Sequence, residues 1–237
     1  MLQVLLQYKG KQAMDTHFFL GLDLGQVSDF TALSLIEWVP DSWPAYYHLR
    51  HLERFPLGTR YPDIVERVKR LMLSYELRER TVCIPDKTGV GAPVVDMLYR
   101  ARMGRVIPIT ITGGLNVHWT EYEYSVPKRD LVSTLQVLFQ NRRLKFSKTI
   151  PEIGILIQEL KNFRVKINLA TGHDSYEAWR EGQHDDMVLS LALACWFAER
   201  NVKYARSHDF LLDLDDGIWS RRDIYDDRED PFNDWLY

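Results

Sequence analysis

The sequence predicts an α/β protein in which one mixed β-sheet carries helices on both faces. Three β-forming stretches follow one another near the N-terminus with only short turns between them, which favours an antiparallel meander. Farther along the chain, helical periods alternate with short β-branched stretches, as expected of parallel strands joined by crossover helices. The chain has 237 residues, 46% of them hydrophobic, and is long enough to bury a substantial core in one large domain or two small ones.

The strands of the predicted meander span residues 17–24, 31–38 and 46–55. The segments between them are rich in glycine, serine, aspartate and proline, which are the residues that turns favour. The hydrophobic side chains then change to a helical period over residues 61–79. Pro62 stands near the start of this predicted helix, where proline is well tolerated.

The rest of the chain continues the alternation of helices and strands. We predict strands at 81–85, 105–110 and 144–146, helices at 92–102, 127–140, 151–162 and 185–200, and a hairpin that pairs 163–169 with 175–180. The helix at 185–200 is apolar on most of its surface, so we expect it to be buried. A meander followed by this alternation and a final buried helix is the order of a ribonuclease-H-like fold.

Charge and pattern divide the chain into three parts. Residues 1–16 are interpreted as a leader or linker, 17–207 as the folded domain and 208–237 as an acidic C-terminal tail. The net charge of −3 combines a balance of −7 in the tail with +4 in the remaining residues. A mildly basic body is compatible with a polyanionic partner without requiring one.

Two classes of protein are not expected from this sequence. Cys83 and Cys195 both lie in apolar runs, which predicts buried free thiols and not a disulfide framework. No apolar run approaches the roughly 20 residues of a membrane-spanning helix. The first residues are too polar for a signal peptide, so we expect neither a membrane protein nor a secreted one.

Acidic residues at element ends are the most informative feature of the sequence. Asp23 ends the first predicted strand, Asp86 ends the strand at 81–85, and Asp185 and Asp186 precede the buried helix. Aspartates at such places also serve as turn or cap residues. A cap accounts for one of the two adjacent aspartates, but not readily for both.

If these acidic side chains converge at one edge of the sheet, they repel one another and raise each other's pKa. A divalent cation relieves that repulsion, and carboxylate oxygens suit Mg²⁺ or Mn²⁺ better than zinc. Two such ions about 4 Å apart can activate a water and stabilise the leaving oxygen in phosphodiester cleavage. The pattern therefore predicts a two-metal hydrolase as one interpretation of these aspartates.

Four segments carry a resemblance to the C-terminal nuclease domain of tailed-bacteriophage terminase large subunits: GLDLGQVSDFTALSLIEW, TVCIPDKTGVGAPVVDML, SVPKRDLVSTLQVLFQNRRLKF and GQHDDMVLSLALACWF. The resemblance covers residues 18–199. It implies a metal-dependent endonuclease of viral genome packaging, in which Asp23, Asp86 and the Asp185–Asp186 pair hold two Mg²⁺ or Mn²⁺ ions and are catalytic. We place Asp186 ahead of Asp185, because Asp185 is the better placed helix cap.

The same resemblance implies double-stranded DNA as the substrate and the cytoplasm of an infected or lysogenic host cell as the location. A portal, a small terminase subunit or a separate ATPase motor would be further partners. The sequence has no GxxxxGK[ST] loop, so ATP-driven translocation is not expected of these residues. The basic side chains that could meet phosphates are Lys87, Lys128, Arg129, Arg142 and Arg143. The long connection at 113–124 is a candidate mobile segment near the site.

Three other interpretations remain open at this point. The chain could be another ribonuclease-H-like nuclease, such as a junction resolvase, or a DNA-packaging adaptor without catalysis. An adaptor would not need the full set of acids. The segment from Gly21 to Gly25 also resembles the first phosphate loop of actin-like ATPases and sugar kinases, but that fold needs two such domains and a longer chain.

Overall fold

The computed structural model of the chain describes residues 18–25, 29–39, 44–169 and 184–209, with side chains for all of these except 163–169 and 202–209. The predicted leader, the strand predicted at 175–180 and the chain beyond residue 209 lie outside the described residues. The strands are β1 (Phe18–Asp23), β2 (Ala32–Val39), β3 (Tyr46–Arg54), β4 (Thr81–Pro85), β5 (Arg105–Val106), β6 (Ile109–Thr112), β7 (His118–Trp119), β8 (Tyr124–Pro127) and β9 (Leu144–Phe146). The helices are α1 (Tyr61–Met72), α2 (Gly91–Arg100), α3 (Lys128–Gln140), α4 (Ile153–Leu169) and α5 (Asp186–Asp209).

The main sheet has the strand order β5-β4-β1-β2-β3-β9. The first three strands form the predicted antiparallel meander, while β4 is parallel to β1 and β5 is parallel to β4. The predicted mixed sheet, with an antiparallel meander and parallel strands, is therefore confirmed. Leu22 of β1 lies beside Pro85 of β4, so the carboxyl ends of these two parallel strands meet at the same edge of the sheet.

A second, smaller sheet has the order β6-β8-β7. The single strand predicted at 105–110 is wrong in one respect, because its two halves belong to different sheets. Pro108 separates β5 from β6 and cannot donate a ladder hydrogen bond. A bridge between Asp86 and Ile109 links the end of β4 to this small sheet. The connection predicted as a mobile segment at 113–124 contains β7.

The two faces of the main sheet are covered by different helices. Leu20 and Leu22 of β1 pack in one buried cluster with side chains of α1 and α2. Phe19 packs in the other cluster, which includes side chains of α3 and α5. Because side chains alternate along a strand, Gly21 faces α5 as well. A Cβ atom on Gly21 would lie 1.8 Å from the carbonyl oxygen of Ser190, so glycine permits α5 to approach the sheet this closely.

The hairpin predicted at 163–169 is wrong for its first strand, because α4 continues through Leu169. No glycine or proline occurs between Gly154 and Gly172, so nothing in the sequence ends the helix where the strand was predicted. The first helix is shorter than predicted and ends at Met72. Cys83 and Cys195 are buried and free, as predicted. Among the described residues, no helix combines the length and the apolar character that crossing a membrane requires.

Candidate active site

The alternation along β1 and β4 directs two of the predicted acids to the same face of the sheet. Asp23 follows Phe19 and Gly21 on the α5 face, and it is only 8% exposed. On β4, Val82 and Ile84 pack in the α5 cluster, and Asp86 continues the same alternation one residue beyond the strand. Both carboxylates therefore lie at the carboxyl edge of the sheet, beneath α5.

Helix α5 runs antiparallel to β1. Phe197 lies with its ring 6.1 Å from the ring of Phe19 at the start of β1, and Ser190 lies against Gly21. The N-terminus of the helix therefore reaches the carboxyl end of β1, where Asp23 is. This orientation brings Asp185 and Asp186, which are separated from Asp23 by some 160 residues of sequence, to the same edge.

The electrostatics of Asp23 show that three other acids act on its carboxyl group. Burial raises the pKa of the Asp23 carboxyl well above its usual value, and the charges of Asp86, Asp186 and Asp185 raise it further. Lys128 acts in the opposite direction. Burial likewise raises the pKa of Asp186, against a hydrogen bond from Arg54. The structure therefore gathers Asp23, Asp86, Asp185 and Asp186 in one electrostatic neighbourhood.

Two of these acids also make local contacts. Asp86 accepts a hydrogen bond from the Thr88 amide at 2.7 Å, which is the turn geometry that its position in the sequence allows. Asp185 lies 3.3 Å from the Lys128 ammonium, and its backbone carbonyl accepts the Leu189 amide as α5 begins. Each carboxylate therefore has a partner from the protein itself.

The cap of α5 comes from another helix. Glu159 of α4 is buried, and its Oε2 accepts hydrogen bonds from the Met187 and Val188 amides at 3.0 and 3.2 Å. These are the backbone donors that an aspartate at the start of the helix would otherwise satisfy. Because Glu159 performs the capping, the side chains of both Asp185 and Asp186 are available for other partners.

Arg54 and Glu159 were not identified from the sequence. Arg54 ends β3, and its Nη2 lies 2.8 Å from Asp186 Oδ2 and 3.1 Å from Glu159 Oε1. The guanidinium also stacks over the Phe30 ring, with 4.0 Å to the ring centroid. A signal for Glu159 was present, since it stands three residues after buried Leu156 on the inward face of its helix. For Arg54, we find no comparable signal in the sequence.

The donor set fits a hard divalent cation in type, because it consists of carboxylate oxygens, and those of Asp23, Asp86 and Asp186 are buried. Within the described part of the chain, no three acidic, histidine or cysteine side chains are already gathered as a formed metal site. Instead, Arg54 and Lys128 are the positive groups that contact two of the acids, Asp186 and Asp185. The residues present therefore suit Mg²⁺ or Mn²⁺, with Asp23, Asp86, Asp185 and Asp186 as the available ligands.

The basic residues predicted to meet DNA occupy different settings. Lys128 and the exposed Arg129 begin α3 beside Asp185, and Lys87 pairs with Glu123. The predicted residues at the other end of α3 are Arg142, which is exposed, and Arg143, which is buried. The Arg143 guanidinium donates to Glu199 and to the Ala45 carbonyl, so we leave it out of the proposed DNA-binding surface.

No protein-family model matches the sequence, and no curated protein matches it either. Among solved structures, the chain is similar to the large terminase nuclease from thermophilic phage G20c, at 23% identity and a TM-score of 0.49, over 76% of this chain and 82% of that one. It is also similar to the Mn-soaked human cytomegalovirus terminase nuclease domain, at 14% identity and a TM-score of 0.47, over 76% and 84%. A further likeness is to Thermus thermophilus RuvC, at 12% identity and a TM-score of 0.39, over 77% and 95%. The similarity to terminase nuclease domains noted in the sequence thus recurs among solved structures.

Proposed function

We propose that this chain is a metal-dependent DNA endonuclease, the nuclease domain of a viral terminase large subunit. The observation that carries the proposal is the burial of Asp23 among three further carboxylates at one edge of the sheet. Bringing like charges together in the interior costs free energy that a stable fold does not need. Such an arrangement is typical of a site where a cation is bound, and perturbed carboxyl groups cluster at functional sites.

In the proposed site, Asp23, Asp86, Asp185 and Asp186 would hold two divalent ions, Mg²⁺ or Mn²⁺. The chemistry that such ions supply in phosphodiester hydrolysis is the activation of a water molecule and the stabilisation of the leaving oxygen. The chain itself contributes rigid placement. Asp23 and Asp86 are fixed by paired strands, and Asp185 and Asp186 are fixed by the start of a buried helix that Glu159 caps.

Double-stranded DNA is the proposed substrate. Lys128 begins α3 and contacts Asp185, Arg129 follows Lys128, and Lys87 follows Asp86 in the sequence, so basic residues adjoin two of the acids. Such groups could contact phosphates of a strand that lies across the acids, which positions DNA without reading its sequence. A separate ATPase motor, a portal or a small terminase subunit would be the partners of such a nuclease, in the cytoplasm of the infected or lysogenic host.

A plasmid assay tests the proposal. Supercoiled plasmid is incubated with the full chain in Mn²⁺, in Mg²⁺ or in EDTA, and nicked and linear products are measured. We expect cleavage with either ion and none in EDTA. Asp63→Asn is the matched control, because Asp63 is an exposed acid that pairs with Arg60 on the surface of α1. Plasmid that stays intact with Mn²⁺ at high protein concentration would overturn the proposed activity and leave a non-catalytic packaging adaptor.

The same assay separates the related nucleases. A junction resolvase prefers a four-way DNA junction to a linear duplex of the same sequence, whereas a packaging endonuclease cleaves ordinary duplex. We expect the linear duplex and the plasmid to be cleaved at comparable rates. A strong preference for the junction would replace the terminase assignment by the resolvase one and keep the metal-dependent site.

A further inference from the structure

Arg54 contacts Asp186, the first residue of α5, through its guanidinium. It ends β3, where its backbone lies opposite Ala32 of β2, and its side chain is only 13% exposed. A single nitrogen, Nη2, contacts both Asp186 and Glu159, at 2.8 and 3.1 Å. Arg54 therefore supplies to Asp186 the positive charge that a divalent cation would otherwise supply.

The two carboxylates that share Arg54 differ in their freedom. Glu159 is fixed at Oε2 by the Met187 and Val188 amides, so Oε1 is held toward the guanidinium. The contacts of the Asp186 carboxylate are instead to side chains, namely Arg54 and, at 3.8 Å, His184. Asp186 can therefore exchange partners while Glu159 keeps its own.

The Phe30 ring also holds the guanidinium in place, with its centroid 4.0 Å from the Arg54 carbon Cζ. The Arg54 backbone amide donates to Glu152 Oε2 at 2.8 Å, which fixes the end of β3 that carries the side chain. An arginine stacked on an aromatic ring and paired with a fixed carboxylate retains its position when a second partner leaves. Loss of the Asp186 contact would thus leave Arg54 seated on Phe30 and Glu159.

We propose that Arg54 is a built-in counter-ion at Asp186 that a divalent ion displaces, and that Glu159 retains Arg54 once Asp186 has turned to the ion. The inference rests on the proposed function, since it takes Asp186 as a ligand. In this arrangement Arg54 stabilises the acids before the ion arrives and weakens the binding of that ion. Arg54 is thus a positioning residue that sets the metal requirement of the site.

The Arg54 side chain itself provides the direct test. In full-length protein labelled with ¹⁵N-arginine, the Arg54 Nε–H signal is assigned by its absence in Arg54→Lys and followed by NMR during titration with Mg²⁺. We expect this signal to shift as Mg²⁺ binds, while the signal of Arg143, which pairs with Glu199 farther along α5, stays unchanged. An Arg54 signal that does not move at saturating Mg²⁺ would show that the Asp186 contact persists, and displacement would be wrong.

Metal affinity supplies the second measurement, by titration calorimetry with Mn²⁺ in the absence of DNA. Arg54→Gln should bind Mn²⁺ about tenfold more tightly than wild type, because a close charge pair no longer opposes the ion. Arg50→Gln is the matched control, since Arg50 lies on the same strand and pairs with Glu37 on the surface. Its affinity should equal that of wild type.

The role of Glu159 follows from a double-mutant cycle. Glu159→Gln should weaken Mn²⁺ binding when Arg54 is present, because Arg54 then has only Asp186 as a charged partner, and should have a smaller effect in the Arg54→Gln background. Equal effects in both backgrounds would rule out the exchange of partners. If wild type binds Mn²⁺ but Arg54→Gln binds it no more tightly, the counter-ion proposal is wrong and the proposed function stands. If neither wild type nor any variant binds Mn²⁺, both the counter-ion proposal and the proposed function are wrong.

Discussion

Two charged clusters lie along α5, one at its N-terminus and one around Glu199 in the middle of the helix, and they differ in charge balance. In the cluster around Glu199, the Glu199 carboxylate receives two hydrogen bonds from Arg143, at 2.6 and 3.0 Å, and one from the Tyr47 hydroxyl at 2.6 Å. The remaining Arg143 nitrogen, Nε, donates to the Ala45 carbonyl. Burial and the neighbouring Glu199 raise the pKa of Tyr47, so the hydroxyl stays protonated and can donate. One acid and one cation are matched there.

At the N-terminal end, the described acids outnumber the cations that contact them. The contacting cations are Arg54 and Lys128, and the acids are Asp23, Asp86, Glu159, Asp185 and Asp186. Each charge of a matched buried pair is compensated by its partner, whereas an excess of like charge is left uncompensated in the intact protein and costs free energy. The comparison indicates that the cluster around Glu199 serves structure and that the cluster at the N-terminus of α5 is arranged for a ligand.

The largest expected effect is a loss of activity when an acid of the cluster at the N-terminus of α5 is replaced. Asp23→Asn should reduce plasmid cleavage by about 10³-fold or more, since interaction with a metal ion contributes several kcal/mol to the transition state. The same change should leave the free energy of unfolding of the metal-free protein unchanged or raise it, because it removes one of several repelling charges. Plasmid assays and urea denaturation in EDTA measure the two quantities. A large loss of stability would instead identify Asp23 as a structural turn residue.

The balanced cluster around Glu199 should respond in the opposite way. Glu199→Gln removes the charge that matches buried Arg143, and we expect the free energy of unfolding to fall by about 3–5 kcal/mol. The Mn²⁺ affinity of the protein that remains folded should not change. Urea denaturation measures the first effect, and Glu37→Gln is the control, because its partially exposed pair with Arg50 should contribute no more than about 1 kcal/mol. A loss confined to Mn²⁺ binding would contradict the structural role of the Glu199 cluster.

The sequence was sufficient to predict the parts of this comparison that depend on local pattern. Alternation along β1, the end of β4 and the apolar surface of α5 predicted where Asp23, Asp86 and the Asp185–Asp186 pair would lie. Strand polarity then explains their convergence, since parallel strands end at one edge. The mixed sheet followed from the same local patterns.

The parts that were missed depend on contacts between distant residues. Arg54 and Asp186 are 132 positions apart, and Glu159 caps a helix that begins after a further 26 residues of chain. No local period encodes a cap donated by another helix. Arg143 likewise gave the same signal as its exposed neighbour Arg142, because a basic side chain does not reveal in the sequence whether a buried acid awaits it.

The pH dependence of stability should also distinguish the cluster at the N-terminus of α5 from the cluster around Glu199. Burial raises the pKa of Glu159 from 4.5 to about 7, against hydrogen bonds from the amides of α5 and the charge of Arg54. The folded protein therefore binds a proton more readily than the unfolded chain does, and this stabilising contribution is complete below pH 4.5 and lost as the pH rises through 7. In EDTA, we expect it to amount to at most about 3 kcal/mol.

Glu159→Gln isolates this contribution. Burial lowers the pKa of His48, which opposes the trend below about pH 6.5 in both proteins, so the difference between wild type and variant is the quantity to compare. Urea denaturation at about pH 5 and about pH 8 should show a smaller fall in stability for the variant. An identical fall in both proteins would show that Glu159 is ionised over this whole range, as an acid fully matched by Arg54 would be.

The smallest expected effect concerns DNA, and it compares two exposed arginines at opposite ends of α3. Arg129 follows Lys128, which contacts Asp185, whereas Arg142 precedes Arg143, which pairs with Glu199. If DNA lies across the acids, Arg129→Gln should weaken binding to a short duplex a few-fold and lower the salt slope by about 1, because one phosphate contact is lost. Arg142→Gln should change neither. Fluorescence anisotropy at several salt concentrations, in EDTA to prevent cleavage, measures both. Equal losses would extend the DNA-binding surface along the whole of α3. A loss at Arg142 alone would place the DNA-binding surface near the Glu199 cluster and not beside the acids.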